Sequence, residues 1–262
     1  MASEAAKSAG GTGSVVTAAL LVIGDEILSG RTKDKNIGYV AEYLTGIGID
    51  LKEVRVVPDE EPEIVAALNA MRARYTYVFT TGGIGPTHDD ITAECVAKAF
   101  GVPIDYHPRA VEIMRARVAQ TGGVMNEARM RMTRVPKGGE LVLNKISGAP
   151  GFWIGNVIVM AGIPSVMQAM LEYVTPQLKT GARMLSDTVR ADCREGDIGT
   201  ELGEIAKQHP DVIIGSYPFM DERGGNTNVV VRSRDPQKIT AAIAAIQAML
   251  TRVRVELAAG QK

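Results

Sequence analysis

The residues best suited to chemistry lie in one short run, residues 80–90, where glycines are followed by two adjacent acids. The glycines are Gly82, Gly83 and Gly85, and the acids are Asp89 and Asp90. Glycine removes the side chains that would keep a ligand from the backbone, and a helix predicted to follow offers free N–H groups and the positive end of its dipole. The turn therefore suits a phosphate. The negative aspartates would repel that phosphate, and a divalent cation held between them would remove the repulsion.

Two better-known phosphate-binding patterns are missing from this sequence. No Gly-x-x-x-x-Gly-Lys-Ser/Thr string occurs, which excludes a P-loop. The dinucleotide fingerprint Gly-x-Gly-x-x-Gly also fails, because its third glycine would fall at His88. The residues indicate metal-assisted chemistry on a nucleotide or a related diphosphate, rather than an ordinary kinase or dehydrogenase.

Three predicted strands bring further acidic residues to the same place. Strands are predicted at residues 16–22, 51–57 and 77–80, from apolar runs bounded by glycine, proline and acids. Helices between them imply parallel strands with right-handed crossovers. Ligands collect outside the carboxyl ends of such strands, and those ends carry Gly24, Asp25, Glu26, Asp59 and the glycine run.

The other elements of this region follow from periodicity and turn residues. Helices are predicted at residues 36–48, from residue 62, and at residues 108–118, 124–132 and 165–178. A strand at residues 141–143, a turn at 147–151 and a hairpin over 152–160 complete the region. Two purely structural alternatives accompany the site: Asn36 as a helix cap, and Asp90 as the third position of a capping box that Thr87 begins.

Composition limits the classes of protein to consider. The chain has 262 residues, of which 45% are hydrophobic and 23% charged, and its formal net charge is -1. This predicts a sizeable core and disfavours binding to nucleic acid or to an anionic membrane. No apolar run approaches the roughly 20 residues that span a bilayer, so we expect a cytoplasmic protein. Cys95 and Cys193 lack the spacing of a metal or redox site and are interpreted as buried or incidental thiols.

We expect three parts along the chain. Residues 1–15, rich in alanine, glycine and serine, are predicted to form a disordered tail. Residues 16–179 are expected to form the main α/β domain. Residues 180–262 are expected to form a small α+β module, with strands at 188–191, 212–217 and 229–233 and helices at 198–207 and 236–253. A turn at residues 224–227 is predicted to join its last two strands.

Several of these motifs together resemble one known family. They are Gly24-Asp25-Glu26-Ile27-Leu28-Ser29-Gly30, Thr81-Gly82-Gly83-Ile84-Gly85-Pro86-Thr87 with Asp89-Asp90, Asn144 with Gly148-Ala149-Pro150-Gly151, and Gly162-Ile163-Pro164-Ser165. In this order they look like the molybdopterin-binding domain shared by molybdopterin adenylyltransferases and competence/damage-inducible protein A. Ser216-Tyr217-Pro218 resembles the middle module of the second branch, whose C-terminal amidohydrolase domain has no counterpart in this sequence.

The resemblance implies a fold and a set of site residues. The fold would be a three-layer α/β/α sandwich with a mostly parallel sheet, and Mg²⁺ or another divalent cation would assist. Asp25 and Asp90 match the motif carboxylates and would be catalytic and metal-centred, with Glu26, Asp59 and Asp89 as further metal ligands. The residues expected to bind substrate or phosphate are Gly24, Asn36, Thr81, Gly82, Gly83, Gly85, Thr87, Asn144, Gly148, Ala149, Pro150, Gly151, Pro164 and Ser165.

The resemblance also implies the activities to consider. We favour Mg²⁺-dependent hydrolysis of a nucleotide diphosphate such as ADP-ribose or FAD, with adenylyl transfer to molybdopterin as the alternative. A pterin- or nucleotide-binding module without turnover is the third hypothesis. Self-association is implied as well, and a separate amidohydrolase chain is among the expected partners. Arg129, Arg131 and Arg134 could reach a phosphate or form the solvated face of a helix, and both interpretations stay open.

Overall fold

The computed structural model describes residues 15–222 and 224–260. The chain divides into two compact units, and the division falls between Gly181 and Ala182. The tail predicted for residues 1–15 lies, up to residue 14, outside the described residues. Each unit has its own sheet and its own hydrophobic core.

The first unit alternates strands and helices along most of its length. Its strands are β1 (Val16–Ile23), β2 (Ile49–Val57), β3 (Tyr77–Thr81), β4 (Ile104–Tyr106), β5 (Arg134–Pro136), β6 (Glu140–Val142), β7 (Gly151–Ile154) and β8 (Val157–Met160). Its helices are α1 (Asp25–Leu28), α2 (Asn36–Gly46), α3 (Glu61–Arg72), α4 (Thr92–Phe100), α5 (Pro108–Gln120), α6 (Glu127–Arg131) and α7 (Pro164–Val174), the last followed by a 3-10 turn at Thr175–Gln177.

A six-stranded sheet of order β2-β1-β3-β8-β7-β6 forms the middle of this unit. β1 is parallel to β2 and β3, β3 is parallel to β8, and β7 runs antiparallel to both of its neighbours. The carboxyl ends of β1, β2, β3, β8 and β6 therefore lie at one edge of the sheet. The predicted mostly parallel sheet is confirmed.

Helices cover both faces of the sheet because strand residues on both faces are apolar. On one face Leu20 and Phe79 pack with α2 and α7, and on the other Leu21 and Val78 pack with α3 and α4. β1 is buried along its length except at half-buried Thr17. The predicted three-layer α/β/α arrangement is confirmed, and it fixes the strand ends that carry the acidic residues.

The structure differs from the sequence-based expectations at the start of α4 and at the pair of β4 and β5. The capping box of Thr87 and Asp90 is wrong, because α4 begins at Thr92, after both residues. The antiparallel pair of β4 and β5 was not predicted, since strands of three residues are too short to show a periodic pattern.

The second unit is the predicted small α+β module. Its elements are β9 (Leu185–Arg190), α8 (Glu195–Gln208), β10 (Ile213–Asp221), β11 (Gly224–Ser233) and α9 (Pro236–Gly260). The three strands form an antiparallel sheet of order β10-β11-β9. Ile198 and Leu202 of α8 and Ile246 of α9 are buried with Val229 and Val231 of β11.

The turn predicted at residues 224–227 is wrong. Gly224 pairs with Asp221 and Thr227 with Pro218, so the connection lies between Asp221 and Gly224. Asn226 is buried in the strand, where its amide donates to Asp221 Oδ2 at 3.3 Å. Burial and hydrogen bonding of Asn226 thus outweigh the turn preference of the Gly-Gly-Asn sequence.

Two further expectations concern helices and thiols. Among residues 15–222 and 224–260, none of the helices has the length and apolar character required to cross a membrane. Cys95 and Cys193 are both free and buried, as predicted. Burial raises the pKa of the Cys95 thiol to about 12, which leaves it protonated and unreactive at neutral pH.

Candidate functional site

Carboxylates from the ends of β1 and β2 come together at the sheet edge. The two strand ends are tied by the Gly24 N–H, which donates to the Val57 carbonyl at 3.1 Å. The Asp25 N–H donates to Asp59 Oδ2 at 3.0 Å. The Glu26 carboxylate folds back over Gly24, where a Cβ would lie 2.5 Å from Glu26 Oε2. We call Asp25, Glu26 and Asp59 the acid cluster.

Asp59 is the centre of this cluster. Its pKa is raised above 3.8, first by desolvation and then by the nearby charges of Asp25, Glu26 and Asp89, against the lowering effect of the Asp25 N–H. Asp25 and Glu26 are exposed, whereas Asp59 is half-buried. Crowded carboxylates of this kind favour a bound cation, because the cation removes their mutual repulsion.

The cluster suits a cation that is completed by its ligand. Within the described part of the chain, no three histidine, cysteine, aspartate or glutamate side chains stand close enough together to form a metal-binding group. Mg²⁺ commonly uses one or two carboxylates together with water and substrate phosphate. The acid cluster fits that mode, with Asp59 joined to Asp25 through the Asp25 N–H, and it does not fit a preformed protein cage.

The glycine turn begins beside the acid cluster. Gly82 has a φ of 104°, and a Cβ there would overlap the Ile23 carbonyl oxygen. Gly83 has a φ of 64°, and a Cβ there would overlap the Thr92 hydroxyl and lie 3.5 Å from Asp59 Oδ1. Only glycine fits these two positions, because Ile23 and Thr92 occupy the space that a side chain would take, and the Asp59 carboxylate lies next to the turn.

Asp90 holds the rest of the turn together. Its Oδ1 accepts from the Gly85 N–H at 2.6 Å, and its Oδ2 accepts from the Thr87 N–H at 2.8 Å and from the Thr87 hydroxyl at 2.5 Å. An anion of the protein thus uses the donors that were predicted to hold phosphate at Gly85 and Thr87. Asp89 is exposed, and the fully exposed His88 approaches it at 3.9 Å.

Asn36 links α2 to the end of β8. Its Nδ2 donates to the Gly162 carbonyl at 2.8 Å, while its buried Oδ1 has no partner among the residues that the structure describes. The alternative of Asn36 as the helix cap is wrong, because Asp34 Oδ1 accepts from the Asn36 N–H at 3.1 Å and the Ile37 N–H at 2.7 Å. Sequence reasoning missed this role of Asp34.

Gly162 also brings the end of β8 against the glycine turn. A Cβ at Gly162 would lie 3.3 Å from Gly82 Cα. Thr81, just before the turn, is buried and its hydroxyl has no partner. Pro164 and Ser165 follow as the first residues of α7, with the Ser165 side chain exposed. The structure therefore places Asn36, Thr81 and Gly162 around Gly82.

The segment 144–151 divides between two locations. Asn144 forms the loop itself, because its Nδ2 donates to the Ala149 carbonyl at 2.7 Å and its Oδ1 accepts from the Ser147 N–H at 2.8 Å. Asn144 and Gly148 line a cavity of about 930 Å³ between α5 and α7. Pro150 lies beside the glycine turn, and Gly151 begins β7. The segment thus reaches the turn only at its end.

The sequence left two interpretations open for three arginines, and their hydrogen bonds and ion pairs now distinguish them. Arg131 Nη2 donates to the Asp90 carbonyl at 3.4 Å and lies 3.5 Å from Glu94 Oε1. Arg134 donates a hydrogen bond to the same Glu94 oxygen. Arg129 instead donates to the Val124 carbonyl. Arg131 and Arg134 therefore belong to the surroundings of the glycine turn, and Arg129 does not.

Thr92 and Glu94 complete that wall of the site and were missed by sequence reasoning. The buried Thr92 hydroxyl donates to the Gly82 carbonyl at 3.0 Å, and the Thr92 N–H donates to the Gly83 carbonyl at 3.0 Å. A signal was present, since Thr92 is the first hydroxyl residue after the paired aspartates and Glu94 follows two residues later. Both belong to the first turn of α4.

Two protein families match the chain, one for each unit. Residues 19–180 match the family described as "Probable molybdopterin binding domain". Residues 183–257 match the family described as "FAD synthase, middle domain". The first match covers more than half of the chain and includes every predicted site residue.

Similar proteins include both full-length relatives and a solved structure. A protein of Archaeoglobus fulgidus is 31% identical over 88% of this chain and 96% of its own length. A "Probable FAD synthase" of Caenorhabditis briggsae is 28% identical over 89% of this chain but only 49% of its own length. The crystal structure of the protein CinA from Thermoplasma acidophilum covers 62% of this chain and 98% of that chain, with a TM-score of 0.57 and 28% identity.

Proposed function

The chain belongs to the molybdopterin-binding domain family, and from this membership we propose that it is a Mg²⁺-dependent hydrolase of nucleotide diphosphates of the ADP-ribose or FAD type. Water would attack one phosphorus of the diphosphate and break the bridging P–O bond. The products would be AMP with ribose 5-phosphate, or AMP with FMN. Of the possible activities, the geometry of this chain best supports phosphate chemistry at the sheet edge.

One observation carries this proposal: Asp59 lies between Asp25 and the glycine turn. Its Oδ2 accepts from the Asp25 N–H at 3.0 Å, and its Oδ1 lies 3.5 Å from the position that a Gly83 Cβ would take. A phosphate bound beside this turn would therefore lie near a carboxylate. A cation between the two is the electrostatic condition for binding, which favours metal-assisted reaction over simple anion binding.

The proposed roles follow from position. The glycine turn would present its backbone to the diphosphate, and Asp25, Glu26 and Asp59 would hold the cation. Mg²⁺ in this place supplies neutralisation of phosphoryl charge and a lower pKa for a water molecule. The exposed Asp25 carboxylate orients the attacking water and receives its proton. Asp90 acts as a positioning residue, since its three hydrogen bonds set the shape of the turn.

Asn36 supports a ribose-containing substrate. Its buried Oδ1 needs a hydrogen-bond donor, and an ionised phosphate offers acceptors only. A ribose hydroxyl can donate, and a ribonucleoside 5′-phosphate carries its hydroxyls within a few bonds of the phosphate. We therefore propose that Asn36, first expected to hold phosphate, contacts the sugar instead.

The flavin arm of the proposal has support from the second unit. The match of residues 183–257 to the middle domain of FAD synthase, and the similarity to the Caenorhabditis briggsae protein, make FAD the first substrate to try. Adenylyl transfer to molybdopterin remains the second candidate, because the matching family is described by its pterin ligand. Binding without turnover is the third.

The test is a direct assay of products. Purified protein would be incubated with Mg²⁺ and, separately, with FAD, with ADP-ribose, and with ATP plus molybdopterin. AMP and adenylylated pterin would then be quantified. We expect AMP from FAD or ADP-ribose, with loss of the product in EDTA and its return on addition of Mg²⁺.

The test variant is Asp25→Asn, which removes a charge from the acid cluster and leaves the hydrogen bonds of Asp90 in place. This variant should produce little AMP while it still unfolds like the wild-type protein. Adenylylated pterin as the main product would replace the hydrolase with the transferase. Tight binding without any product would leave a binding module.

A further inference from the structure

Two arginines reach the glycine turn, Arg131 from the end of α6 and Arg134 from the start of β5. Arg131 Nη2 lies 3.4 Å from the Asp90 carbonyl oxygen and 3.5 Å from Glu94 Oε1. Arg134 donates to the same oxygen of Glu94. Glu94 thus joins both guanidinium groups to the first turn of α4, next to the turn that Asp90 holds.

Both arginines keep one donor without a partner. Arg131 Nε and Arg134 Nε are buried, and neither donates a hydrogen bond to an acceptor among the described residues. A buried N–H of a charged group without an acceptor is costly, and such groups in folded proteins usually meet water or a ligand. These two N–H groups therefore indicate a missing acceptor.

A small cavity lined by both arginines lies beside the glycine turn. It measures about 20 Å³ and is lined by Gly83, Gly85, Asp90, Arg131 and Arg134, among others. Roughly 10–15 Å³ of such volume is enough for one water-sized group, so the cavity has room for one oxygen atom and not for a whole phosphate. The cavity borders the same glycines over which the diphosphate is proposed to lie.

Hydrogen-bond donors, rather than net charge, favour an anionic oxygen there, because Arg131 and Arg134 are balanced by Asp90 and Glu94. Two guanidinium groups share one carboxylate, Glu94, while the Asp90 carboxylate is occupied by Gly85 and Thr87. Guanidinium groups donate to phosphoryl oxygens with good geometry because their N–H groups form a fixed planar fork.

We propose that one phosphoryl oxygen of the bound ligand enters this cavity and accepts hydrogen bonds from Arg131 Nε and Arg134 Nε. Arg131 and Arg134 are then phosphate-binding residues, and Glu94 is the positioning residue that orients both. This rests on the proposed function only in that the ligand carries a phosphate. It does not depend on hydrolysis.

The test measures binding, apart from turnover. Isothermal titration with AMP, and separately with inorganic pyrophosphate, would compare the wild-type protein with Arg131→Met and Arg134→Met. The dissociation constants should rise by about tenfold to a hundredfold, the usual effect of losing a hydrogen bond to a charged group. Arg129→Met is the matched control from the same helix, because Arg129 donates to the Val124 carbonyl, and its binding should equal that of wild type.

A second variant separates ligand binding from a structural role. Arg134→Lys keeps a cation for Glu94 but replaces the Nε–H group by a methylene, which cannot donate into the cavity. We expect its melting temperature to stay near that of wild type while its binding weakens as in Arg134→Met. Wild-type affinity in Arg134→Lys would overturn the proposal, as would a wild-type protein that binds neither AMP nor pyrophosphate. Failure of hydrolysis with these binding results intact would overturn only the proposed function.

Discussion

The acid cluster and the loop acid Asp90 use the same kind of side chain at the same sheet edge in opposite ways. In the cluster, Asp25 and Glu26 are exposed, and Asp59 accepts one backbone N–H beside like charges that help to raise its pKa. Asp90 accepts three hydrogen bonds from two residues of its own loop. Among the described residues, the carboxylates of the acid cluster keep acceptor oxygens open and repel one another. The Asp90 oxygens instead accept hydrogen bonds that hold the loop in one shape.

The difference assigns separate tasks to residues that a motif treats alike. Free acceptors near like charges suit a cation, while saturated acceptors suit a fixed loop. Changes in the cluster should therefore alter activity with little loss of stability, and changes in the loop should alter both. The following variants test that separation, in order of their expected effect on the free energy of unfolding.

Gly82→Ala should lower the free energy of unfolding most, because Gly82 lies where the glycine turn meets the end of β1. A Cβ at Gly82 would overlap the Ile23 carbonyl oxygen at the end of β1, and its φ of 104° disfavours any residue with a side chain. We expect a loss of at least about 3 kcal/mol in the free energy of unfolding. Urea denaturation followed by the fluorescence of Trp153, the one tryptophan of the chain, measures it.

Gly38→Ala is the control for this variant. Gly38 lies within α2, and a Cβ there would meet nothing within 4 Å. Alanine in a helix should leave stability unchanged or raise it by about 0.5–1 kcal/mol. Equal stability of Gly82→Ala and Gly38→Ala would contradict the close approach of the turn to β1.

Asp90→Asn should come second and should affect both properties. Asparagine replaces one accepting oxygen by a donor, so the bonds from Gly85 and Thr87 cannot all survive. We expect a loss of about 2 kcal/mol in the free energy of unfolding. AMP formation should fall as well, since the turn loses its shape. Normal stability with lost activity would move Asp90 into the same class as Asp25.

Asp25→Asn should be nearly neutral for stability and severe for activity. It removes one negative charge next to Asp59 and keeps the Asp25 N–H bond to Asp59 Oδ2. The rate of AMP formation should fall by about 100-fold or more, the usual effect of losing one electrostatic contact to the transition state. A marked drop in the urea midpoint would show that the cluster supports the fold after all.

Asp59 should give the smallest effect, visible as a dependence of stability on pH. Its pKa is raised above 3.8 in the folded protein, so the unfolded chain loses this proton first as pH rises. The free energy of unfolding should therefore fall as pH rises from 3.8 through the folded pKa. Asp59→Asn should lack this fall, and denaturation midpoints across that range measure it.

Glu53, on the strand β2 that precedes Asp59, provides a control because its pKa is shifted in the opposite direction. The Tyr75 hydroxyl and Arg55 lower the pKa of Glu53 below 4.5, so its contribution is present above 4.5 and is lost as pH falls through the folded pKa. Glu53→Gln should remove a rise of stability with pH, whereas Asp59→Asn removes a fall. The same direction for both variants would contradict the repulsion assigned to Asp59.

Much of the fold could be predicted because its signals are local. The apolar run that became β1, and the glycine and acids that follow it, fix a buried strand and an acidic end within a dozen residues. The short strands β4 and β5 gave no such signal. In the second unit a turn-like Gly-Gly-Asn sequence was mistaken for the hairpin connection, because the burial of Asn226 depends on partners elsewhere in the unit.

The amino-acid sequence by itself determined the parallel order of strands, the edge that carries the site and the need for glycine in the turn, since these follow from periodicity and backbone sterics. Only the tertiary structure decided what each polar side chain does. Asp59 meets the Asp25 N–H 34 positions away, and Asn36 meets Gly162 126 positions away. Hydrogen bonds between such distant residues depend on how helices and strands pack, and a local sequence pattern does not predict that packing.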